Sequence, residues 1–320
     1  MNEFLQQIIN GLSLGSIYAL IALGYTMVYG VLRFINFAHS DVFMVGAFAG
    51  YYLGRMASWA FSFKWGEHVW RFTVPSFLVI PTESLWGGLL ILFLAMLACA
   101  ILGVIIERFA YRPLRGHSKL NVLITAIGVS LLLENTGQFL FGAAPKPFPM
   151  LFPVKSFTFM GGLILSSSQI AVFVVTVVLL VSMRFIVLKT RMGTAMRAVS
   201  FNPLAASLVG INNDVVISFT FALGSALAAA GGILYSLNYQ AIDPLMGILP
   251  GLKAFVAAVL GGIGNIPGAA LGGLLLGIVE TFVNGSRWST YTDAIAFAVL
   301  ILVLLFKPAG LLGKLQVEKV

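Results

Sequence analysis

The feature of this sequence that most constrains its fold is a series of apolar stretches, most of them long enough to cross a lipid bilayer. A helix needs about 20 apolar residues to span the hydrocarbon core. Of the 320 residues, 59% are hydrophobic and 9% are charged, whereas a typical soluble domain has about 25% charged residues. One globule cannot hide that much apolar surface, so part of the solvent must be lipid. The sequence therefore predicts an all-α polytopic membrane protein that lies in the bilayer.

The apolar stretches also indicate how often the chain crosses the membrane. They cover residues 5–31, 39–58, 85–107, 120–141, 165–187, 214–238, 266–285 and 292–307, with a shorter stretch at 251–263. Basic residues are enriched on the cytoplasmic side of membrane proteins. Here they cluster in three places: Arg108, Arg112, Arg115 and Lys119; Arg184, Lys189, Arg191 and Arg197; and Lys307, Lys314 and Lys319. All three clusters can face the cytoplasm only if the crossings between them have the right parity.

The number of crossings therefore depends on whether the short stretch 251–263 spans the membrane. Its neighbours would leave Lys307 outside unless 251–263 crosses as a short or tilted helix, or unless a neighbouring segment is re-entrant. We favour the short crossing, which gives about 8–9 transmembrane helices, with short or broken segments, in one domain over residues 1–320. The loop 59–84 is then external, and the loop 189–213 is cytoplasmic.

The sequence lacks the motifs that several kinds of enzyme activity require. No GxxxxGK[ST] phosphate-binding loop is present, so the chain is not expected to hydrolyse ATP. His39, His68 and His117 lie in three separate regions, so no metal site is expected. No GxSxG motif provides a catalytic nucleophile. The net charge of +8 comes from the cytoplasmic clusters and does not indicate nucleic-acid binding. A transporter, a channel or a structural membrane subunit remains.

Polar residues inside the apolar stretches are costly in lipid and usually face a protein interior or water. The candidates for a translocation path or gate are Asn36, His39 and Asp41 at the start of the second span, Glu134 deep in its span, and Glu280 toward the outer end of its own. The alternative is a set of helix–helix hydrogen bonds, and Asp41 could also cap a helix N-terminus. The acids are isolated in the sequence, so proton coupling has little support.

Glycines recur at intervals that place them on one face of a helix. The sets with a spacing of four are Gly11 and Gly15; Gly264, Gly268 and Gly272; and Gly273 and Gly277. Small residues at this spacing let two helix backbones approach closely in a membrane. We therefore expect these glycines to serve helix packing, with a further role only if the face slides against a neighbour.

The stretch 191–212 is too polar for a span and carries the signals of a short helix. Asn202 is a good N-cap, Pro203 suits the first helical position, and Gly210 can end the helix. A helix of about two turns results, which is too short to be stable alone in water. We expect its exposed face to be small and mildly apolar, formed by Ala205, Ala206, Leu208 and Val209.

Upstream of this short helix, the segment GTAMRAVS is expected to continue the preceding span into the cytoplasm, with a turn at Ser200 and Phe201. A short capped helix with an apolar face fits a groove on a partner protein. The alternative is a surface connector that lies along the lipid headgroups.

Segments spread over nearly the whole chain resemble one family of membrane proteins. They are GLSLGSIYALIALGYTMVYGVLRFINFAHSD (11–41), IERFAYRPLRG (106–116), RMGTAMRAVSFNPLAASLVGIN (191–212), GLKAFVAAVLGGIGNIPGAALGGLLLGIVET (251–281), and the tail FKPAGLLGK with VEKV. The chain resembles the permeases of ATP-binding-cassette importers for branched-chain amino acids, in particular the LivH-type subunit. Two departures stand out. Ser40 replaces a glycine that the family commonly has, and the loop 59–84 is longer and more aromatic.

The resemblance implies a function and a set of partners. It implies a multi-pass protein of the bacterial inner membrane that carries leucine, isoleucine or valine by alternating access. A second, LivM-type permease would form the path with it, and a periplasmic binding protein would deliver the substrate from above. Two ATPase subunits would dock below and would hold the ATP and magnesium, so this chain would hold no cofactor of its own.

The resemblance also assigns the segment 193–210 to a coupling helix, the element that enters a groove of an ATPase subunit. The residues expected to act there are Arg197, Asn202, Pro203, Ala205, Ala206, Leu208 and Gly210. Urea or short amides are alternative substrates, because related permeases carry them. A secondary transporter is a further alternative, but it needs a coupling-ion site, and no strong membrane-buried charged site is evident in the sequence.

Overall fold

Helices dominate the structure. The computed structural model describes residues 2–58, 60–65, 68–73, 75, 79–159, 162–307 and 309–313. Its α-helices are α1 (Asn2–Leu32), α2 (His39–Gly54), α3 (Leu85–Ile106), α4 (Lys119–Phe141), α5 (Ser167–Lys189), α6 (Arg191–Phe201), α7 (Pro203–Leu208), α8 (Asn213–Tyr239), α9 (Ile248–Gly261), α10 (Ile266–Asn284) and α11 (Thr292–Phe306). A π-helical turn, Glu107–Tyr111, and a 3-10 turn, Arg112–Leu114, extend α3.

Of the described helices, nine run through the bundle in alternating directions, and α6 and α7 lie at one end of it. Seven of the nine are long and apolar enough to cross a membrane. The end with α6 and α7 also carries the clusters around Arg108 and Arg184 and the residue Lys307. The positive-inside rule predicts that this end faces the cytoplasm, and we call it the cytoplasmic end. Lys314 and Lys319 lie outside the described residues. The prediction of an all-α polytopic membrane protein is confirmed.

The two remaining helices, α2 and α9, are short and begin inside the bundle. With 16 and 14 residues, they are about 24 and 21 Å long, less than the ~30 Å hydrocarbon core. The His39 ring lies against Gly24, about 12 Å before the end of α1. A Cβ atom on Gly251 would lie 2.3 Å from the Cβ of Ser40. The N-termini of α2 and α9 therefore meet within the membrane.

The predicted span 39–58 needs correction at both ends. Residues 33–38 turn back into the bundle, so α2 starts there and not at the membrane surface, and it ends at Gly54. The stretch 251–263 corresponds to α9 (Ile248–Gly261), which lies between the outer end of α8 and the inner end of α10. The non-helical residues 240–247 complete this passage, which is the short crossing that parity requires.

Helix α1 is the centre of the bundle, and it packs most closely against the antiparallel α10. The contact is made by backbone atoms, because glycines face each other. A Cβ atom on Gly277 would lie 2.3 Å from the Cα of Gly15, and one on Gly15 would lie 2.7 Å from the Cα of Leu274. A Cβ on Gly273 would lie 2.5 Å from the backbone nitrogen of Ala19. The two glycine pairs that the sequence shows in different spans thus form one contact.

The remaining glycines of that region serve a different contact. Gly268 and Gly272 face α9, where added Cβ atoms would lie 2.3 Å from the Gly261 oxygen and 2.0 Å from the Ala257 oxygen. The prediction that Gly264 shares this helical face is wrong. Gly264 lies in the turn before α10, with a φ of +92° and open space around it. Its role is to allow a left-handed turn, which other residues rarely adopt.

The outer end of the bundle carries short antiparallel strand pairs. They are β1 (Ala60–Trp65) with β2 (His68–Thr73), β3 (Lys146–Pro147) with β6 (Ala241–Ile242), and β4 (Ser156–Phe159) with β5 (Leu163–Ser166). The predicted external loop 59–84 contains the first pair and lies only partly within the described residues. Gln6 of α1 donates to the Ile164 carbonyl oxygen (2.9 Å) and accepts from the Ile164 N–H (2.9 Å).

Replacement of Gly277 by leucine should destabilise the folded protein. The added side chain has no room against the backbone of Gly15, so α1 and α10 must separate. We expect a loss of about 1–3 kcal/mol or more, in the range typical of overpacking. The measurement is thermal unfolding of the detergent-solubilised protein, followed by size-exclusion fluorescence.

The matched control is Gly128→Leu on α4, where a Cβ atom meets nothing within 4 Å. It adds the same side chain to a transmembrane helix and should leave the midpoint nearly unchanged. Equal midpoints for Gly277→Leu and the control would show that the close approach of α1 and α10 does not stabilise the bundle.

Candidate functional site

The cytoplasmic helix α6 is a separate element and not an extension of the preceding span. The chain breaks at Thr190, which has extended backbone angles (φ −95°, ψ 159°) and accepts a hydrogen bond on its side chain from the Gly193 N–H at 3.1 Å. The expected continuation of α5 through GTAMRAVS is therefore wrong. The turn is also shifted, because α6 continues through Phe201 and the change of direction falls at Asn202.

Helix α7 is built by the capping residues that the sequence shows. The Asn202 side chain accepts from the Ala205 N–H at 3.0 Å, and Pro203 occupies the first helical position. At the other end, Gly210 has a φ of +87°, and its N–H donates to the Ser207 oxygen at 3.0 Å. The left-handed residue satisfies a free carbonyl at the helix end and turns the chain toward α8.

The exposed face of this module is larger and more apolar than expected. Its members are large hydrophobic side chains that are 72–88% exposed: Phe201, Leu204, Leu208 and Val209. Ala205 is exposed beside them. Ala206, however, is only 3% exposed, so its assignment to the exposed face is wrong. It faces the bundle because the short helix packs against α6 and α8. We call Phe201, Leu204, Leu208 and Val209 the α7 patch.

Hydrogen bonds connect helix α6 to the cytoplasmic ends of two transmembrane helices. The Ser200 hydroxyl donates to the Gly30 carbonyl oxygen of α1, and Arg33 donates to the Ser200 oxygen at 3.3 Å. Arg197 donates to the Val187 carbonyl oxygen of α5. Its other terminal nitrogen donates to the Thr194 hydroxyl at 3.3 Å, so Arg197, proposed from the sequence as a coupling residue, binds its own chain through both terminal nitrogens of its guanidinium.

A second cytoplasmic network, which the sequence analysis did not find, connects the end of α3 to the start of α8. Asp214 pairs with both Arg112 and Arg115, the latter at 2.7 Å. Arg115 also pairs with the fully buried Glu107, which accepts from the Ser218 hydroxyl at 2.5 Å. Glu107 and Arg115 are only 8 residues apart, but Asp214 lies 102 and 99 residues from its two arginines, and Ser218 lies 111 residues from Glu107. No local pattern could therefore have indicated the connection to α8.

Three of the candidate path residues lie together at the start of α2, and all three are buried. Asn36 accepts from the Tyr111 hydroxyl at 2.5 Å, and Asp41 accepts from the Ser130 hydroxyl of α4 at 2.5 Å. His39 packs against Gly24 and edge-on against Tyr25, with ring centroids 4.7 Å apart. These contacts hold the half-length helix in the bundle.

Glu134 lies one helical turn beyond Ser130 on α4 and is close enough to Asp41 for an electrostatic interaction. It is half-buried, and within the described ranges its carboxylate has neither a hydrogen bond nor an ion pair. Much of α4 is exposed, so Glu134 sits at the edge of the face that this chain leaves uncovered. The buried Nε2 of His39 also lacks a hydrogen-bond partner among the described residues, but Glu134 is the candidate path residue whose whole carboxylate is unpaired there.

Glu280 belongs to a different cluster, which is a buried salt bridge. Lys253 of α9 pairs with Glu280 of α10 at 2.7 Å and with Asp293 of α11 at 2.6 Å. The side chains of Lys253 and Glu280 are only 8% and 5% exposed. The second carboxylate oxygen of Glu280 is buried with no hydrogen-bond donor in the described structure. The expectation of no strong buried charged site is therefore wrong, since Lys253 and Glu280 were not paired from their sequence positions.

The structure thus separates the candidate residues into three places: the α6–α7 module, the cluster at the start of α2 with Glu134, and the salt bridge of Glu280. Within the described ranges, no group of three His, Cys, Asp or Glu side chains could hold a metal ion. The chemistry of these places is hydrogen bonding and ion pairing.

Loss of Lys253 should be more harmful to stability than loss of the whole pair. Lys253→Met leaves Glu280 buried without its cation, which typically costs about 3–5 kcal/mol. The double variant Lys253→Met/Glu280→Leu should recover most of that loss, because an apolar pair needs no compensation in a dry site. Denaturant or thermal unfolding of four proteins measures the coupling: the unmodified chain, Lys253→Met, Glu280→Leu and the double variant.

Asp293→Asn is the matched control for this cycle. Its carboxylate is 51% exposed, so removal of its charge should cost about 1 kcal/mol or less. Additive effects of the single replacements at Lys253 and Glu280 would contradict an energetic coupling between them.

Comparison with known proteins agrees with this architecture. A family model described as "Branched-chain amino acid transport system / permease component" matches residues 7–304. The chain is 42% identical to the high-affinity branched-chain amino acid transport system permease protein BraD of Pseudomonas aeruginosa, and the match covers 99% of this chain and 98% of BraD. It is 39% identical to the corresponding protein LivH of Escherichia coli, with the same coverage. No solved structure matches the chain significantly. The chain belongs to the family of permease components of branched-chain amino acid transport systems.

Proposed function

We propose that this chain is one of two membrane-spanning subunits of an ATP-driven importer for leucine, isoleucine and valine in the bacterial inner membrane. The second subunit is a LivM-type permease, and the two form the translocation path by alternating access. The proposal is supported by the family match and by relatives named as branched-chain amino acid permeases that align over 99% of the chain. ATP and magnesium are held by two partner ATPase subunits, and a periplasmic binding protein delivers the substrate.

The α7 patch is the observation that best supports the docking of an ATPase subunit on this chain. Its four side chains are large, apolar and at least 72% exposed at the cytoplasmic end of the bundle. Exposed apolar clusters of this kind mark interaction sites. An isolated helix of six residues is not stable in water. A short helix that is capped at both ends and attached to the bundle can, however, bind in a groove on a partner.

The contacts of α6 explain how movement of the docked helix reaches the membrane. Ser200 and Arg33 connect α6 to the end of α1, and Arg197 connects it to the end of α5. A displacement of the α7 patch therefore displaces the ends of two spanning helices together. Coupling also requires that the ATPase groove hold the patch differently in its two states, because otherwise no shift in populations follows.

The uncovered face of α4 is where the second permease would complete the path. The side chains of α4 are mostly exposed in this chain, and Glu134 stands at the edge of that face without a bonded partner among the described residues. A branched-chain amino acid is a zwitterion with an apolar side chain, so it needs weakly binding, mainly apolar walls. Selection among substrates would rest mostly with the binding protein.

The transport activity is tested by reconstitution. We expect ATP-dependent uptake of radiolabelled leucine into proteoliposomes only when this chain, its permease partner, the ATPases and the binding protein are all present. Unlabelled isoleucine and valine should compete, and urea and short amides should not. Gradient-driven uptake by this chain alone would show a secondary transporter, and competition by urea would assign the other substrate class.

Replacement of Leu204 and Leu208 by aspartate should uncouple the importer. Both side chains are exposed, so the chain should still insert and fold, but a charged patch would not enter an apolar groove. We expect leucine uptake to fall at least about tenfold, which corresponds to about 1.4 kcal/mol of lost docking free energy. Co-purification of the ATPase subunits measures the docking itself.

His117→Asp is the control for the added charge. It places aspartate at another exposed cytoplasmic position, outside the α7 patch, and should leave uptake unchanged. Ala206→Glu, in contrast, should reduce the folded yield, since the residue is buried. Normal uptake by the Leu204 and Leu208 variant would remove the α7 patch from the coupling mechanism.

A further inference from the structure

A cavity of about 820 Å³ opens at the cytoplasmic end of the bundle. It lies between the C-terminal ends of α1, α5, α9 and α11, the N-terminus of α10 and the segment 309–313, with α6 along one side. The surrounding helix ends place it at the level where lipid headgroups meet the hydrocarbon core. None of the functions assigned above uses it.

The cavity is positively charged. Three arginines line it, Arg33, Arg184 and Arg197, and none of the described residues that line it is acidic. None of the three takes part in the salt bridges found among the described residues. Like charges gathered around one space repel each other unless an anion enters it.

The hydrogen bonds that these arginines make within the chain do not neutralise their positive charge. Arg33 donates to the carbonyl oxygen of Ser200, and Arg197 donates to the carbonyl oxygen of Val187 and to the Thr194 hydroxyl. These acceptors are uncharged, so they orient the guanidinium groups without neutralising them. Arg184 has no hydrogen bond or ion pair within the described part of the chain. Guanidinium groups of this kind bind phosphate oxygens with two parallel hydrogen bonds.

The other walls favour an amphipathic anion. Apolar side chains from α5, α9 and α11 form much of the remaining lining: Val187, Leu188, Phe255, Val259 and Leu304. The N-terminal end of α10, at Asn265 and Ile266, adds the positive end of a helix dipole. A phosphate next to the arginines would therefore have its glycerol and acyl chains beside apolar walls.

We propose that this cavity binds the phosphate headgroup of an anionic phospholipid, such as phosphatidylglycerol, from the cytoplasmic leaflet. Arg33, Arg184 and Arg197 hold the phosphate, and the apolar wall takes the upper part of the acyl chains. Basic pockets between transmembrane helices on this side of a membrane are suited to anionic headgroups. Because Arg33 and Arg197 also connect α6 to the bundle, a bound lipid would touch the base of the α6–α7 module.

The test is native mass spectrometry of the full chain released from nanodiscs of phosphatidylcholine with phosphatidylglycerol. Arg184→Gln should lower the affinity for retained phosphatidylglycerol about fivefold, and Arg33→Gln with Arg184→Gln should lower it by roughly thirtyfold, as expected for one and two lost basic contacts. Retention of phosphatidylcholine should not change. Arg184→Lys keeps the charge and should retain most of the binding.

Arg108→Gln is the matched control, because Arg108 is exposed at the same end of the bundle and does not line the cavity. An equal loss of phosphatidylglycerol in this control would show general surface attraction and would overturn the proposal. Unchanged retention in the double variant would also overturn it. Displacement of the lipid by millimolar inorganic phosphate would assign the cavity to a soluble anion.

Discussion

Helices that meet inside a lipid bilayer gain little from the hydrophobic effect, so their contact depends on close atomic approach. In this structure that approach is made between α1 and α10, where glycines on both sides bring the backbones together. Most residues of α1 from Gly11 to Val28 are buried as a result. The other spanning helices are arranged around this central pair, and the half-length helices α2 and α9 can begin inside the bundle because it supplies their neighbours.

Two charge networks hold distant segments together at different levels of the membrane. Near the cytoplasm, Asp214 and Arg115 connect the end of α3 to the start of α8. Further out, Lys253 joins α9 to α10 and α11. A buried ion pair is weak evidence for net stability, but removal of one partner is costly. The networks therefore specify which helices lie side by side more than they strengthen the bundle.

Local signals in the sequence predicted much of the fold. Hydropathy located the long spans, charge parity required a short crossing near 251–263, and the pair Asn202 and Pro203 predicted the start of α7. Hydropathy could not show that α2 begins inside the membrane, because that depends on the contact of His39 with Gly24. Nor could it pair Lys253 with Glu280, which meet only when α9 and α10 pack. Ala206 is buried because α7 packs against its neighbours. A helix of six residues is too short for its sequence pattern to show which face is covered.

The shortness of α2 and α9 has a consequence for how the protein is made. A segment leaves the translocon for lipid according to its own length and apolarity, and α2 carries His39 and Asp41 in its first turn. Neither α2 nor α9 is long enough to span the bilayer by itself, so we expect each to enter the membrane together with the long helices beside it in the chain. Assembly of the bundle is then coupled to insertion, and the order of synthesis brings α1 to the membrane before α2, which can pack against it.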